Sequence, residues 1–157
     1  DVYSRMSKIY VDEIHPKTVG GTIEVNRKDY YFSVRKNDGN NVGVNTDIVF
    51  NTVDEDTEGL YNSSTGVITV PVAGIWQFNF IGMSNYNGQT GVGFYDSTTT
   101  HINRIGTFTE STSNSGLSMA FAIRMNANDT IKARCVSGTV YAGSGNGHVR
   151  LNGYLIG

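Results

Sequence analysis

Cysteine is almost missing from this chain of 157 residues, where Cys135 stands alone. An intrachain disulfide framework is therefore excluded. Cys135 alternates with Ile131 and Ala133, the pattern of a small buried hydrophobe rather than a reactive thiol. Long runs rich in Ala, Leu, Glu and Lys are missing too, which argues against a helical domain. No block of basic residues occurs, and 12 Lys and Arg against 14 Asp and Glu give a formal net charge of −2. The footprint of a nucleic-acid-binding protein is thus absent. No apolar run approaches the roughly 20 residues that span a bilayer, so membrane insertion is not expected. The start of the chain is polar, without a visible secretory signal.

Catalytic constellations are likewise missing, and no enzyme is expected. His15, His101 and His148 fall in an N-terminal leader, a loop and a terminal strand. No His-x-Glu-x-x-His or paired Cys/His spacing points to zinc. Gly143-Ser144-Gly145-Asn146-Gly147 lacks the strand-to-helix setting of a nucleophile elbow and the Lys of a phosphate-binding loop, so it reads as a flexible loop.

What the chain does have is 9 Tyr, 7 Phe, 1 Trp and 19 Gly, with only 2 Pro and many Thr, Ser, Asn and Val. Strand formers punctuated by turn formers predict an all-β domain. The length fits one domain with a real core plus a short extension. Strands are expected over Tyr30 to Arg35, Asp47 to Asn51, Gly66 to Val70, Gly74 to Ser84, Leu117 to Met125, Ile131 to Val136 and His148 to Ile156. In the fourth, Trp76, Phe78 and Phe80 share one face while Gln77 and Asn79 take the other, the period of two that marks a half-buried strand. Leu117, Met119, Phe121, Ile123 and Met125 repeat the pattern against Ser118, Ala120, Ala122 and Arg124. Eight or so strands with turn clusters between them predict an antiparallel β-sandwich of the jelly-roll kind.

Residues 1–29 differ. Short extended pieces around His15-Pro16 and Gly20-Gly21 carry too little apolar surface to fold alone. They are expected to form a leader to a domain spanning residues 30–157. Met6-Ser7-Lys8 has the form of a natural translation start, so Asp1 to Arg5 reads either as a remnant ahead of it or as a processed terminus. Asp54, Glu55, Asp56 and Glu58 offer hard oxygen ligands suited to Ca²⁺ and equally read as a solvated acidic loop. Asn62-Ser63-Ser64 and Asn128-Asp129-Thr130 fit the glycosylation sequon, relevant only in a secreted eukaryotic protein. Tyr86, Asn87 and Gln89, with Tyr141, Asn146 and His148, supply the Tyr/Asn/Gly-rich composition of adaptable recognition loops.

Phe50, Asp56, Tyr61, Ile68, Gly74, Trp76, Phe78 and Phe80 resemble, in type and spacing, the signature of the complement C1q globular-head family. Ile68 stands for a Phe and Trp76 for a Tyr. Phe32-Ser33-Val34-Arg35 resembles that family's first strand, Asn128-Asp129-Thr130-Ile131 a later strand start, and Leu151-Asn152-Gly153-Tyr154-Leu155-Ile156 its closing strand. The resemblance implies a C1q/tumour-necrosis-factor-like jelly roll over residues 30–157 that works as a non-enzymatic homotrimer. Phe50, Tyr61, Trp76, Phe78, Phe80 and Tyr154 are then shared between the single-chain core and the trimer axis. Some relatives bind calcium, at loops this chain does not reproduce, so no cofactor is expected beyond Ca²⁺ at Asp54, Asp56 and Glu58.

The leader has its own resemblance. Lys8 to Thr18 and Gly20 to Asn26 look like openings of structural proteins of tailed bacteriophages. This implies a virion protein, with Ile9, Val11, Ile14, Ile23 and Val25 attaching a decoration, fibre head or knob to other virion proteins and the domain contacting a host-surface glycan or receptor. The alternative is a secreted C1q-like recognition module. The collagen-like stalk of animal C1q proteins does not occur in the chain.

Overall fold

Inward and outward side chains alternate along residues 31–37, 74–80, 117–125, 130–135 and 147–153. The computed structural model describes residues 14–15, 24–25, 29–84, 88–96, 101–109 and 115–156, all of whose regular structure is β. Strands β1 (Ile14–His15) and β2 (Glu24–Val25) pair with each other, Ile14 opposite Val25. The domain follows as β3 (Tyr31–Asp38), β4 (Val42–Gly43), β5 (Thr46–Asp47), β6 (Thr52–Asp56), β7 (Tyr61–Asn62) and β8 (Val67–Thr69). It continues with β9 (Gly74–Ser84), β10 (Gly88–Tyr95), β11 (His101–Thr109), β12 (Ser115–Met125), β13 (Thr130–Ser137), β14 (Thr139–Val140) and β15 (Ser144–Leu155).

Two antiparallel sheets result. Sheet one runs β12–β9–β15–β3–β6, with β14 and β4 continuing beside the end of β9. Sheet two runs β11–β10–β13–β8–β7, with β5 on β13. Neighbours in space are mostly distant in sequence, as in a jelly roll.

The core is a run of aromatic rings between the sheets. Phe50 meets Tyr61 at 6.1 Å between centroids, Tyr61 meets Phe32 at 6.4 Å, and Phe32 meets Phe78 at 6.4 Å. Phe78 then meets Phe121 at 5.4 Å, Phe121 meets Phe94 at 5.0 Å, and Phe94 meets Phe80 at 6.3 Å. Trp76, fully buried, packs against Tyr30 and donates its indole N–H to the Val72 carbonyl. Cys135 is fully buried in the same core, and that burial pushes its thiol pKa up. At one margin, Asp47 of β5 accepts hydrogen bonds from Lys132 at 2.8 Å and Arg134 at 2.5 Å on β13. Burial alone would raise the Asp47 carboxyl, but these cationic donors outweigh it and hold the group below its ordinary range.

Three expectations from the sequence differ from this fold. Strand β5 stops at Asp47, so Ile48 to Asn51 are not a strand, although Ile48 and Phe50 are fully buried. The acidic run that read as a loop instead forms β6, an edge strand on β3. Edge positions tolerate charge because one side faces water. His101, placed in a loop from sequence, opens β11.

Gly153 is buried opposite both Phe32 and Phe78. A Cβ there would run into both rings. Gly153→Ala is therefore expected to cost about 1–3 kcal/mol by overpacking, read as a lowered melting temperature. Tyr61 ties the margin of the core: its hydroxyl accepts from the Phe50 N–H at 2.7 Å and donates to the Phe50 carbonyl at 3.0 Å. Tyr61→Phe leaves both backbone groups without this partner and should cost about 1–3 kcal/mol. Burial pushes the Tyr61 phenol up to about 12, against the opposing effect of the Phe50 bond. A raised pKa means that the stabilisation is fully present below the unfolded value near 10 and is lost as pH rises through about 12. Denaturant titrations should show the gap between wild type and Tyr61→Phe narrowing over that window.

Candidate functional site

The strand period that buries Trp76, Phe78 and Phe80 turns their neighbours outward. On β9 these are Ile75, Gln77, Asn79, Ile81 and Met83. The ladders set them in rows across sheet one. Ser118, Ile81, Arg150 and Arg35 form one row; Ala120, Asn79, Asn152 and Ser33 the next; Ala122, Gln77, Tyr154 and Tyr31 a third. Arg124 lies opposite Ile75, followed by Ile156 beyond the end of β15. Ile81 is 49% exposed, Tyr154 40% and Ile156 51%. Beside them Ser118, Ala120 and Ala122 are exposed and small. The face is broad, with large apolar groups among short polar ones, and Ile81, Tyr154 and Ile156 are left exposed by the described residues.

The predicted core and axis aromatics separate cleanly. Phe50, Tyr61, Trp76, Phe78 and Phe80 all lie in the single-chain core, and only Tyr154 faces outward. Ala120 and Ala122 fall on the face expected opposite Phe121, while Ile81 and Ile156 carry no motif of their own in the sequence. Their signal was the alternation itself, which marks an outward residue between every two inward ones.

Inward-facing residues of β12 are less well covered than those of β9. Met119, Phe121 and Ile123 are half-buried, although they pack on the core. They lie where β12 forms the margin of sheet one, and the outward side of β12 carries one charge, Arg124, over eleven residues. Long edge strands of this kind are usually covered by another surface.

The carboxylates proposed for calcium are already engaged. Asp54 lies 3.0 Å from Arg35 Nε. Asp56 accepts the Leu60 and Tyr61 N–H groups at 2.7 and 3.0 Å, capping the turn that follows β6. Glu55 lies opposite Ser33, beside the register shift that makes Asp54 the extra residue of β6, and Glu58 has contacts of its own. Among the described residues no three Asp, Glu, His or Cys side chains come together to hold a metal ion.

At one end of the sandwich the Tyr141 and His148 rings meet at 5.9 Å between centroids, tilted by 31°. Ser84 pairs with Val140, so the strand leading to residues 85–87 and the segment opening at Tyr141 are neighbours. Tyr86 and Asn87 lie outside the described residues, and Gln89 is exposed on β10. Asn146 belongs to a bulge, because five steps from Ser144 to Val149 oppose two from Asp38 to Lys36. Lys36 is 6% exposed and bonds Asp38 at 2.8 Å. Burial would raise Asp38, but its hydrogen bonds with Lys36 and Asn40 hold it below the ordinary range. Of the leader residues, Ile14 and Val25 form the β1–β2 pair, while Ile9, Val11 and Ile23 lie outside the described residues.

Comparison with known proteins agrees with this architecture. No curated protein matches the chain. Among solved structures it is similar to the globular domain of zebrafish complement 1qA protein, at 15% identity and a TM-score of 0.61, covering 83% of this chain and 98% of that one. It is also similar to Eiger TNF from S. frugiperda, at 9% identity and a TM-score of 0.66 over 83% of this chain and 94% of the other. Murine APRIL matches at 9% identity and a TM-score of 0.62, over 82% of this chain and all 100% of its own. At such identities these likenesses speak for the fold. A family model is more specific: the C1q domain matches residues 31–156, nearly the whole stretch that the Phe50-to-Phe80 signature and the closing Gly153-Tyr154-Leu155 strand implied. The chain belongs to the C1q domain family.

Proposed function

We propose that this protein is a non-enzymatic trimeric module in which neighbouring copies cover the outward face of sheet one. C1q/TNF-like domains generally serve as recognition modules without catalysis, and they form homotrimers. The observation that carries the reading is the row-built face on which Ile81, Tyr154 and Ile156 stand 49, 40 and 51% exposed. Small Ala120 and Ala122 beside them allow another surface to approach closely. The half-buried Met119, Phe121 and Ile123 at the β12 margin give a second, different apolar surface. A contact between two unlike surfaces repeats from copy to copy and closes as a ring when the rotation allows.

We place this trimer on a bacteriophage particle, as a capsid decoration, fibre head or knob. The support is the leader, whose Lys8 to Asn26 stretch resembles phage structural openings and whose Ile14 and Val25 pair as strands. The leader would attach to other virion proteins, and the Tyr141–His148 end would meet a host-surface glycan or receptor. A secreted recognition module is the second reading, favoured by the likeness to a complement globular domain and to TNF molecules.

Light scattering at micromolar concentration should give three times the 17.1 kDa chain mass. Ile81→Asp should yield a folded monomer, while Val44→Asp, at an exposed apolar residue on the β4–β5 turn, should remain trimeric. A monomeric wild type overturns the assembly. Deleting residues 1–29 should leave the trimer intact and abolish binding to the source particle, seen by antibody labelling in negative stain. Absence of the protein from any particle favours the secreted reading.

A further inference from the structure

The outward positions of β12, β9 and β15 carry Arg124 and Arg150 and no carboxylate. Neither arginine forms an ion pair among the described residues. Arg150 lies directly opposite Arg35 on the neighbouring strand, and like charges opposed across a ladder are destabilising. Asp54 relieves only part of this. It sits 3.0 Å from Arg35 Nε, yet outside the direction of the N–H, so the buried Nε has no hydrogen bond. Arg150 spends its Nε–H on the Gly147 carbonyl at 3.1 Å, leaving its terminal N–H groups unassigned. Gly147 fits between the two side chains: a Cβ there would stand 3.2 Å from Arg35 Cδ and 3.5 Å from an Arg150 terminal nitrogen. Its φ of +54° is a conformation that suits glycine. The bulge thus comes close to the Arg35 side chain and the Arg150 guanidinium without adding a side chain beside them.

We infer that Arg35 and Arg150 hold a small oxyanion, of the phosphate or sulfate class, on the covered face of the assembled protein. The inference rests on the trimer reading, because covering this face removes the water that otherwise solvates Arg150. An unpaired buried guanidinium is expensive, and a planar N–H fork matches a tetrahedral oxyanion. The covered face limits the occupant to a small anion. Arg124 is the internal contrast: it shares the face and the charge but sits opposite Ile75, about 20 Å along the strands at about 3.3 Å per residue, with no facing arginine.

The test compares melting of wild type, Arg150→Gln, Arg150→Lys and Arg124→Gln in sodium phosphate or sulfate against chloride at equal ionic strength, with light scattering on the same samples. Wild type and Arg124→Gln should each show a saturable rise of roughly 3 °C at about ten-fold excess over the dissociation constant. Arg150→Gln should show none, and Arg150→Lys, which keeps the charge but loses the fork, a weaker one. A wild-type trimer that responds no more than Arg150→Gln overturns the anion site and leaves the assembly reading standing. A wild-type monomer overturns the assembly reading and this inference with it. Trimer loss in Arg150→Gln with no anion response in wild type assigns the arginine to a neighbour's carboxylate, and likewise overturns the anion.

Discussion

Continuous contact between aromatic rings of the two sheets is the constraint on which the rest of this molecule depends. Phe32, Phe78, Phe80 and Phe121 come from sheet one, Tyr61 and Phe94 from sheet two, and Phe50 from the irregular segment before β6. Rings of this size bury roughly 150–250 Å² each, so they supply the dominant apolar contact between the layers. They also dictate where side chains must be missing. Gly153 is glycine because Phe32 and Phe78 occupy the space its Cβ would need. The irregular stretch carrying Phe50 is held not by a ladder but by the paired bonds to the Tyr61 hydroxyl.

The outward face follows from the same constraint. Once every second residue of β9, β12 and β15 is committed to the interior, the residues between them must face away. Those positions combine exposed Ile81, Tyr154 and Ile156, small Ala120 and Ala122, and arginines without carboxylates. In sheet two Asp47 pairs with Lys132 and Arg134, the last of which lies over the Tyr95 ring at 5.4 Å. Sheet one pairs Arg35 with Asp54 and Lys36 with Asp38 on β3 and β6, whereas Arg124 and Arg150, beside its exposed apolar residues, have no ion pair among the described residues.

Much of this architecture was legible from residue order alone. Period-two alternation placed β9 with its bounds and β12 nearly so, and the spacing from Phe50 to Phe80 identified the family. The same spacing did not reveal which aromatics serve one chain and which the assembly, since a strand pattern distinguishes two faces without saying what covers the second. The acidic residues of β6 misled because local composition resembles a loop, while their pairing with β3 is a tertiary fact. The strand β10 was obscured by Gly88, Gly91 and Gly93; Tyr95 folds across Gly93 and fills the space there. Pairs such as Arg35 with Arg150, or Tyr141 with His148, arise from strand pairing and a bulge, neither of which is written in any local motif.

Hydroxyl-radical footprinting of the intact protein, resolved residue by residue across a dilution series, bears most directly on the central claim that sheet one is the covered face. Tyr154, Ile81 and Ile156 should be protected in the assembled protein and become reactive together as it dissociates, while exposed Val44 reacts at all concentrations. Equal reactivity of Tyr154, Ile81 and Ile156 in the assembled and dissociated forms would contradict it.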